Sequence, residues 1–123
     1  MALSAFFALT FAAGHVTQEV RDHDADLSNG IRTNAVAFGP TATFVAGLAL
    51  FVLADVLLVT LALCGVTPRV LVLVAPFFLW HLASSLQTLR AGLTFENIRR
   101  LRRRYRELYV VVGLLMLAAL FAH

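Results

Sequence analysis

Val36–Leu89 reads VAFGPTATFVAGLALFVLADVLLVTLALCGVTPRVLVLVAPFFLWHLASSLQTL, and this stretch decides the fold. Val36 to Leu63 carries one formal charge, Asp55, and Val70 to Leu89 carries none. A helix that crosses a bilayer needs about 20 predominantly apolar residues. Both runs meet that length. At about 1.5 Å per residue the first exceeds a ~30 Å hydrocarbon core, so it must tilt or protrude. Pro40 falls in its first turns, where a missing N–H costs least. Cys64-Gly65-Val66-Thr67-Pro68 separates the runs as a tight turn, with Gly65 suited to ending a helix and Pro68 to beginning one. The spacing predicts helices over 34–64 and 68–91, paired as an antiparallel hairpin.

Composition supports the same class. Of the 123 residues, 60% are hydrophobic and 14% charged, against about 45–50% and 25% in soluble domains. So small a soluble domain cannot bury that much apolar surface. Ten phenylalanines argue against disorder. The expected fold is all-α and integral to a membrane: one domain, a small polytopic bundle of three to four transmembrane helices.

The flanks decide three against four. Ala2–Gly14 (ALSAFFALTFAAG) is apolar but short, and no charge precedes it, unlike a secretory signal. It reads either as a short or tilted first span continuing as helix to about residue 17, or as a segment lying in the interface. A polar loop is expected over 18–33, with four acids (Glu19, Asp22, Asp24, Asp26) and a turn signal at Ser28-Asn29-Gly30. Asp22-His23-Asp24-Ala25-Asp26 superficially resembles a metal-binding run. It lacks the longer ligand series and closing Glu of a calcium loop, and reads as a solvated acidic loop. His15, His23, His81 and His123 are too scattered for a metal motif, so no metal is expected. Cys64 stands alone and forms no internal disulfide.

Thr94–Leu108 (TFENIRRLRRRYREL) is basic and amphipathic. Thr94 suits an N-cap, and Phe95, Ile98, Leu101, Tyr105 and Leu108 recur on one face. Glu96–Arg100 and Arg103–Glu107 are spaced for ion pairs. The basic amphipathic helix over 94–107 is expected to run into a last span over 108–122. Seven of the ten arginines lie between Arg90 and Arg106, and lysine is absent. A basic cluster beside apolar spans meets anionic lipid rather than nucleic acid. It also sets orientation: the 90–106 loop is expected on the cytoplasmic or matrix side of a bacterial or mitochondrial inner membrane. Arg99, Arg100, Arg102, Arg103, Arg104 and Arg106 are the residues expected to dock anionic lipids such as cardiolipin, or a partner.

Three further sets stand out. Asp55 is costly in hydrocarbon, and His81 lies within reach of it across the hairpin, about 4–5 Å different in depth. The pair reads either as a proton relay or polar ligand site, or as a hydrogen bond locking two helices. Ser84, Ser85 and Thr88 share the face of His81 as a polar stripe, and such hydroxyls in membrane helices bond their own backbone or a neighbour. Gly39, Thr43 and Gly47 form a small-residue face for helix packing.

The order of parts resembles the MAPEG family, membrane-associated proteins of eicosanoid and glutathione metabolism. Asn34 and Pro40 keep the family's six-residue spacing within IRTNAVAFGP, and His81, Arg90, Gly92 and Thr94 resemble the order in its third helix. The resemblance implies a four-helix homotrimer with glutathione as cofactor, and Asn34, His81 and Arg90 lining a site between protomers. Ala37 stands at the family's acidic position, Gly30 and Phe78 where it has arginines.

No nucleophilic triad or phosphate-binding glycine loop is present. The sequence therefore reads first as a non-enzymatic structural or accessory subunit of a larger membrane complex, its partners other membrane subunits and anionic lipids. The alternatives are a MAPEG-like glutathione-dependent enzyme acting on lipophilic substrates and a small proton- or ion-conducting module using Asp55 and His81. No cofactor is expected on the first reading; haem or pigment ligation by His81 lacks a well-placed second axial histidine.

Overall fold

The computed structural model describes residues 2–121 and is helical, with no strand among them. In chain order the elements are α1 (Ala2–Ser28), α2 (Asn34–Phe38), α3 (Pro40–Leu63), a 3-10 helix (Arg69–Val74), α4 (Ala75–Ala91) and α5 (Phe95–Phe121). Pro40–Leu63 and Arg69–Ala91, of 24 and 23 residues, are long and apolar enough to cross a membrane. Ala122 and His123 lie outside the described residues, so the expected last span is described to Phe121.

Helix α1 corrects the expected loop over 18–33, because it stays helical through Ser28. From His15 to Ser28 there is neither Gly nor Pro, and Gln18, Glu19 and Arg21 are good helix formers. His15 and Glu19 pair one turn apart at 3.3 Å. The helix ends at Gly30, whose φ of 68° only glycine adopts readily. There the amides of Gly30 and Ile31 donate to Leu27 O and Asp26 O, the paired closure of a Schellman cap.

The single helix expected over 34–64 is broken at Gly39, with φ 87° and ψ 151°. A residue preceding proline is pushed out of helical backbone, and glycine accepts the resulting positive φ. Thr33 caps α2 by accepting the Val36 amide, and Pro40 opens α3. The helix expected over 68–91 begins instead as the 3-10 helix and becomes α-helical at Ala75. Pro76 has no N–H to return to Val72, so the α ladder cannot run through it.

Helix α5 runs unbroken from the arginine segment into the apolar end, as expected. Thr94 caps it, accepting the Asn97 amide at 3.3 Å. Ile98, Leu101, Tyr105 and Leu108 are buried, but Phe95 is exposed. It lies outside the buried stripe, and Arg21 reaches over its ring, 5.8 Å from the centroid. Helices α1 and α3 make the most extensive pairing of the bundle. Phe6, Leu58, Leu71, Val74 and Leu108 fill one half of the core; Ala13, Phe44, Phe51, Leu101 and Tyr105 fill the other.

Candidate functional site

Helices α3 and α4 border a half-open cavity of about 300 Å³. Its walls are apolar (Leu48, Val52, Val56, Phe78, Leu79), and Asp55 and His81 are the two ionisable residues that line it. Asp55 is 7% exposed and His81 3%. Burying such groups without a hydrogen bond costs several kcal/mol. Yet Asp55 Oδ1 and His81 Nε2 are sealed and have no hydrogen-bond partner among the described residues. The hairpin thus brings the expected pair into one cavity, but no hydrogen bond joins them.

The imidazole is held on two sides. Its edge meets the Tyr105 ring at 3.8 Å between centroids and 82°, and Phe51 at 5.2 Å and 89°. Tyr105 is fixed in turn by Ser85, Oγ to hydroxyl at 3.3 Å, while the Ser85 hydroxyl donates to His81 O at 2.9 Å. Thr88 donates to Ser84 O at 2.9 Å, and Ser84 is buried. The hydroxyls of Ser85 and Thr88 are therefore spent on their own helix and on Tyr105, and neither lines the cavity. By sequence, Tyr105 is one residue of the apolar face of α5. Its place under His81 follows only from α5 lying across α3 and α4, which periodicity within one helix cannot reveal.

The three small residues do not act alike. Thr43 and Gly47 are buried on the face that α3 turns to α1. A Cβ at Gly47 would stand 3.3 Å from Val16 Cγ1 and 3.4 Å from Thr17 Oγ1, so the glycine sets the approach of the two helices. Gly39 corrects the expectation of a packing residue: it is the break between α2 and α3, with nothing near its missing side chain. A second small-residue face, not anticipated, lies on the outer side of α3. Ala42, Ala46 and Ala49 are exposed there, and with Phe38, Pro40 and Val45 they line an open groove of about 700 Å³. Its signal was legible as alanines four and three residues apart, one position before Thr43 and Gly47.

The arginines ring the other face of α5. Arg99 meets Glu96 at 3.8 Å rather than the expected Glu96–Arg100 pair, and Arg103 meets Glu107 at 3.6 Å as expected. The one-turn-back contact fits Glu96 in the first turn, where the acid also faces the helix N-terminus. Arg90, Arg100, Arg102, Arg104 and Arg106 make no ion pair among the described residues. Arg104 lies over the Trp80 ring, 5.6 Å from its centroid. Arg102 and Arg106 line a cleft of about 300 Å³ between α1 and α5 with His15 and Gln18. Burial, then the nearby Arg21 and Arg106, lowers the Arg102 pKa, though a guanidinium stays charged. Arg21 clasps Asp22 through two bonds of 2.5 and 2.6 Å, and that hydrogen bonding holds the Asp22 carboxyl below its ordinary value.

Asn34, His81 and Arg90 are engaged separately. The Asn34 amide and side chain donate to Glu19 at 2.8 and 3.1 Å, tying α2 back to α1. His81 sits in the cavity just described, and Arg90 is exposed in the last turn of α4. No group of three or more His, Cys, Asp or Glu among the described residues is placed to hold a metal ion. No family model, curated protein or solved structure matches this chain.

Proposed function

We propose that this chain is a non-enzymatic accessory subunit of a larger membrane protein complex. On this reading α3 and the Arg69–Ala91 stretch cross the bilayer, and the apolar halves of α1 and α5 accompany them. The observation that carries it is the outer groove of α3, where Ala42, Ala46 and Ala49 lie open beside Phe38 and Val45. Lipid tails are as apolar as leucine, so helices in a bilayer associate through close packing of small residues. The inner face of α3 uses this device against α1, and the outer face offers it to a helix of another subunit. The free arginines of α5 suit anionic headgroups such as cardiolipin, each near-surface charge contributing about 1 kcal/mol. Their positive charge supports an orientation with that end toward the cytoplasm or matrix of a bacterial or mitochondrial inner membrane.

Native mass spectrometry after gentle detergent extraction tests the reading. The expected species is an assembly with unlike chains in fixed ratio, with anionic lipid retained. Ala46→Leu should release the chain from it while its helical content is kept. Three copies of this chain alone, with glutathione bound, would instead favour a MAPEG-like enzyme. A chain that runs alone, indifferent to Ala46→Leu, would sink the subunit reading.

A further inference from the structure

We propose that the cleft between α1 and α5 seats one anionic phospholipid, its phosphate held between Arg102 and Arg106. This seat narrows the headgroup contact of α5 from a charged surface to one place, and its supply of lipid rests on the membrane reading. Both helices change character at the cleft. Helix α1 carries no charged residue from Ala2 to Gly14, and α5 carries none from Leu108 to Phe121. Gly14 and His15 line the cleft from one side, Arg106 and Tyr109 from the other, so the two boundaries meet at one height. On the membrane reading, that is where acyl chains give way to headgroups.

The polar end supplies positive charge. Arg102 and Arg106 stand one helical turn apart, where neighbouring side chains start about 5–6 Å from each other. Neither makes an ion pair among the described residues. Like charges at that spacing repel, and an anion between them removes the repulsion. The acids of that end are engaged elsewhere. Glu19 accepts from Asn34 and meets His15, Arg21 clasps Asp22, and Glu107 meets Arg103. A phosphate diester spreads one charge over its two free oxygens, and a guanidinium forks readily to such a group. Gln18 adds an amide donor at the same end.

The apolar end selects a lipid over a free anion. Phe11, Phe51 and Tyr109 line it. At steps of four the same helix faces continue as Phe7 and Leu3 on α1 and as Val110 and Leu114 on α5, all exposed. An acyl chain covers this strip, whereas inorganic phosphate or an acidic peptide leaves it bare. A choline head would bring a third cation beside the two arginines, so the lipid must be net negative. The cleft is half open, as a lipid entering sideways from a bilayer requires. Gly14 keeps it clear, because a Cβ there would meet nothing within 4 Å.

The test is native mass spectrometry of the full chain, delipidated in detergent and titrated with dioleoyl phosphatidylglycerol. The expected result is one saturable adduct per chain, displaced by neither dioleoyl phosphatidylcholine nor inorganic phosphate. Arg102→Gln and Arg106→Gln should each weaken it about fivefold, the contribution of one near-surface charge. Arg32→Gln with Arg90→Gln removes as much charge outside the cleft and should leave the adduct in place. Gly14→Leu changes no charge and adds a good helix former, so helical content should hold while the saturable adduct is lost. Binding unmoved by Gly14→Leu would overturn the proposal. So would an equal loss from the Arg32 and Arg90 variants, or displacement by inorganic phosphate or phosphatidylcholine. Release of the chain from membranes by alkaline carbonate would sink the membrane reading alone, and the detergent titration would still judge the site. A chain that runs alone yet holds one lipid would sink the subunit reading and leave the lipid seat standing.

Discussion

The two sides of α3 carry nearly the same small residues and have different fates. On the inner side Thr43 and Gly47 are covered by α1, and Gly47 leaves only the room that Val16 and Thr17 occupy. On the outer side Ala42, Ala46 and Ala49 line a groove left open among the described residues. Small size is therefore not the message by itself. It permits close approach, and the rest of the sequence decides whether the approaching helix comes from the same chain.

The comparison breaks most sharply at Gly47. Gly47→Leu should force α1 off α3 at a cost of about 3 kcal/mol, the upper part of the usual range for overpacking. Thermal unfolding followed by circular dichroism in detergent reads this, and an unchanged midpoint would mean that the α1–α3 contact is not tight. Gly39→Ala separates space from backbone. Nothing stands near its missing Cβ, but its φ of 87° with ψ of 151° belongs to glycine, so about 2 kcal/mol should be lost. A neutral result would show that α2 and α3 join in another way. Ala46→Leu sharpens the contrast from the outer side. It should shift the stability of the isolated chain by no more than about 0.5 kcal/mol, as other exposed changes do, while abolishing assembly.

The smallest effect is expected at the polar end. The Asp22 carboxyl is depressed by Arg21 below its ordinary 3.8. Its contribution is therefore present above 3.8 and lost as pH falls through the lower folded value. Both side chains are about a third exposed, so solvent screening reduces this to about 0.3 kcal/mol. Unfolding midpoints well above and well below 3.8, compared with those of Asp22→Asn, give the measurement. A variant that loses as much as the parent on acidification would assign the pH dependence elsewhere.

Much of the helical order was legible because it rests on local chemistry. The hairpin, the Thr94 cap, the turn at Ser28-Asn29-Gly30 and the Ile98–Leu101–Tyr105–Leu108 face all follow from neighbours within a turn or two. The loop expected after residue 17 is helix instead, because polarity is not irregularity. Glu19 and Arg21 are polar and also good helix formers, and no breaker intervenes before Gly30. The breaks at Gly39 and Pro76 were legible in principle from proline's missing N–H and its effect on the residue before it. The site was half legible. Asp55 and His81 met in one cavity, as the arithmetic of the hairpin suggested. The Tyr105 clamp and the spent serine and threonine hydroxyls depend on how α5 crosses the hairpin, which no spacing within a single helix encodes.

The hairpin turn holds one more consequence. Cys64 is the only cysteine of the chain, and it is exposed at the tip joining α3 to the 3-10 helix. The 3-10 helix and α4 lie between it and the arginine segment, a path of ~37 Å at their helical rises. On the proposed membrane reading, the native protein thus carries its own sidedness reporter. In sealed vesicles a maleimide too polar to cross lipid reacts with this thiol from one compartment only, without any engineered residue.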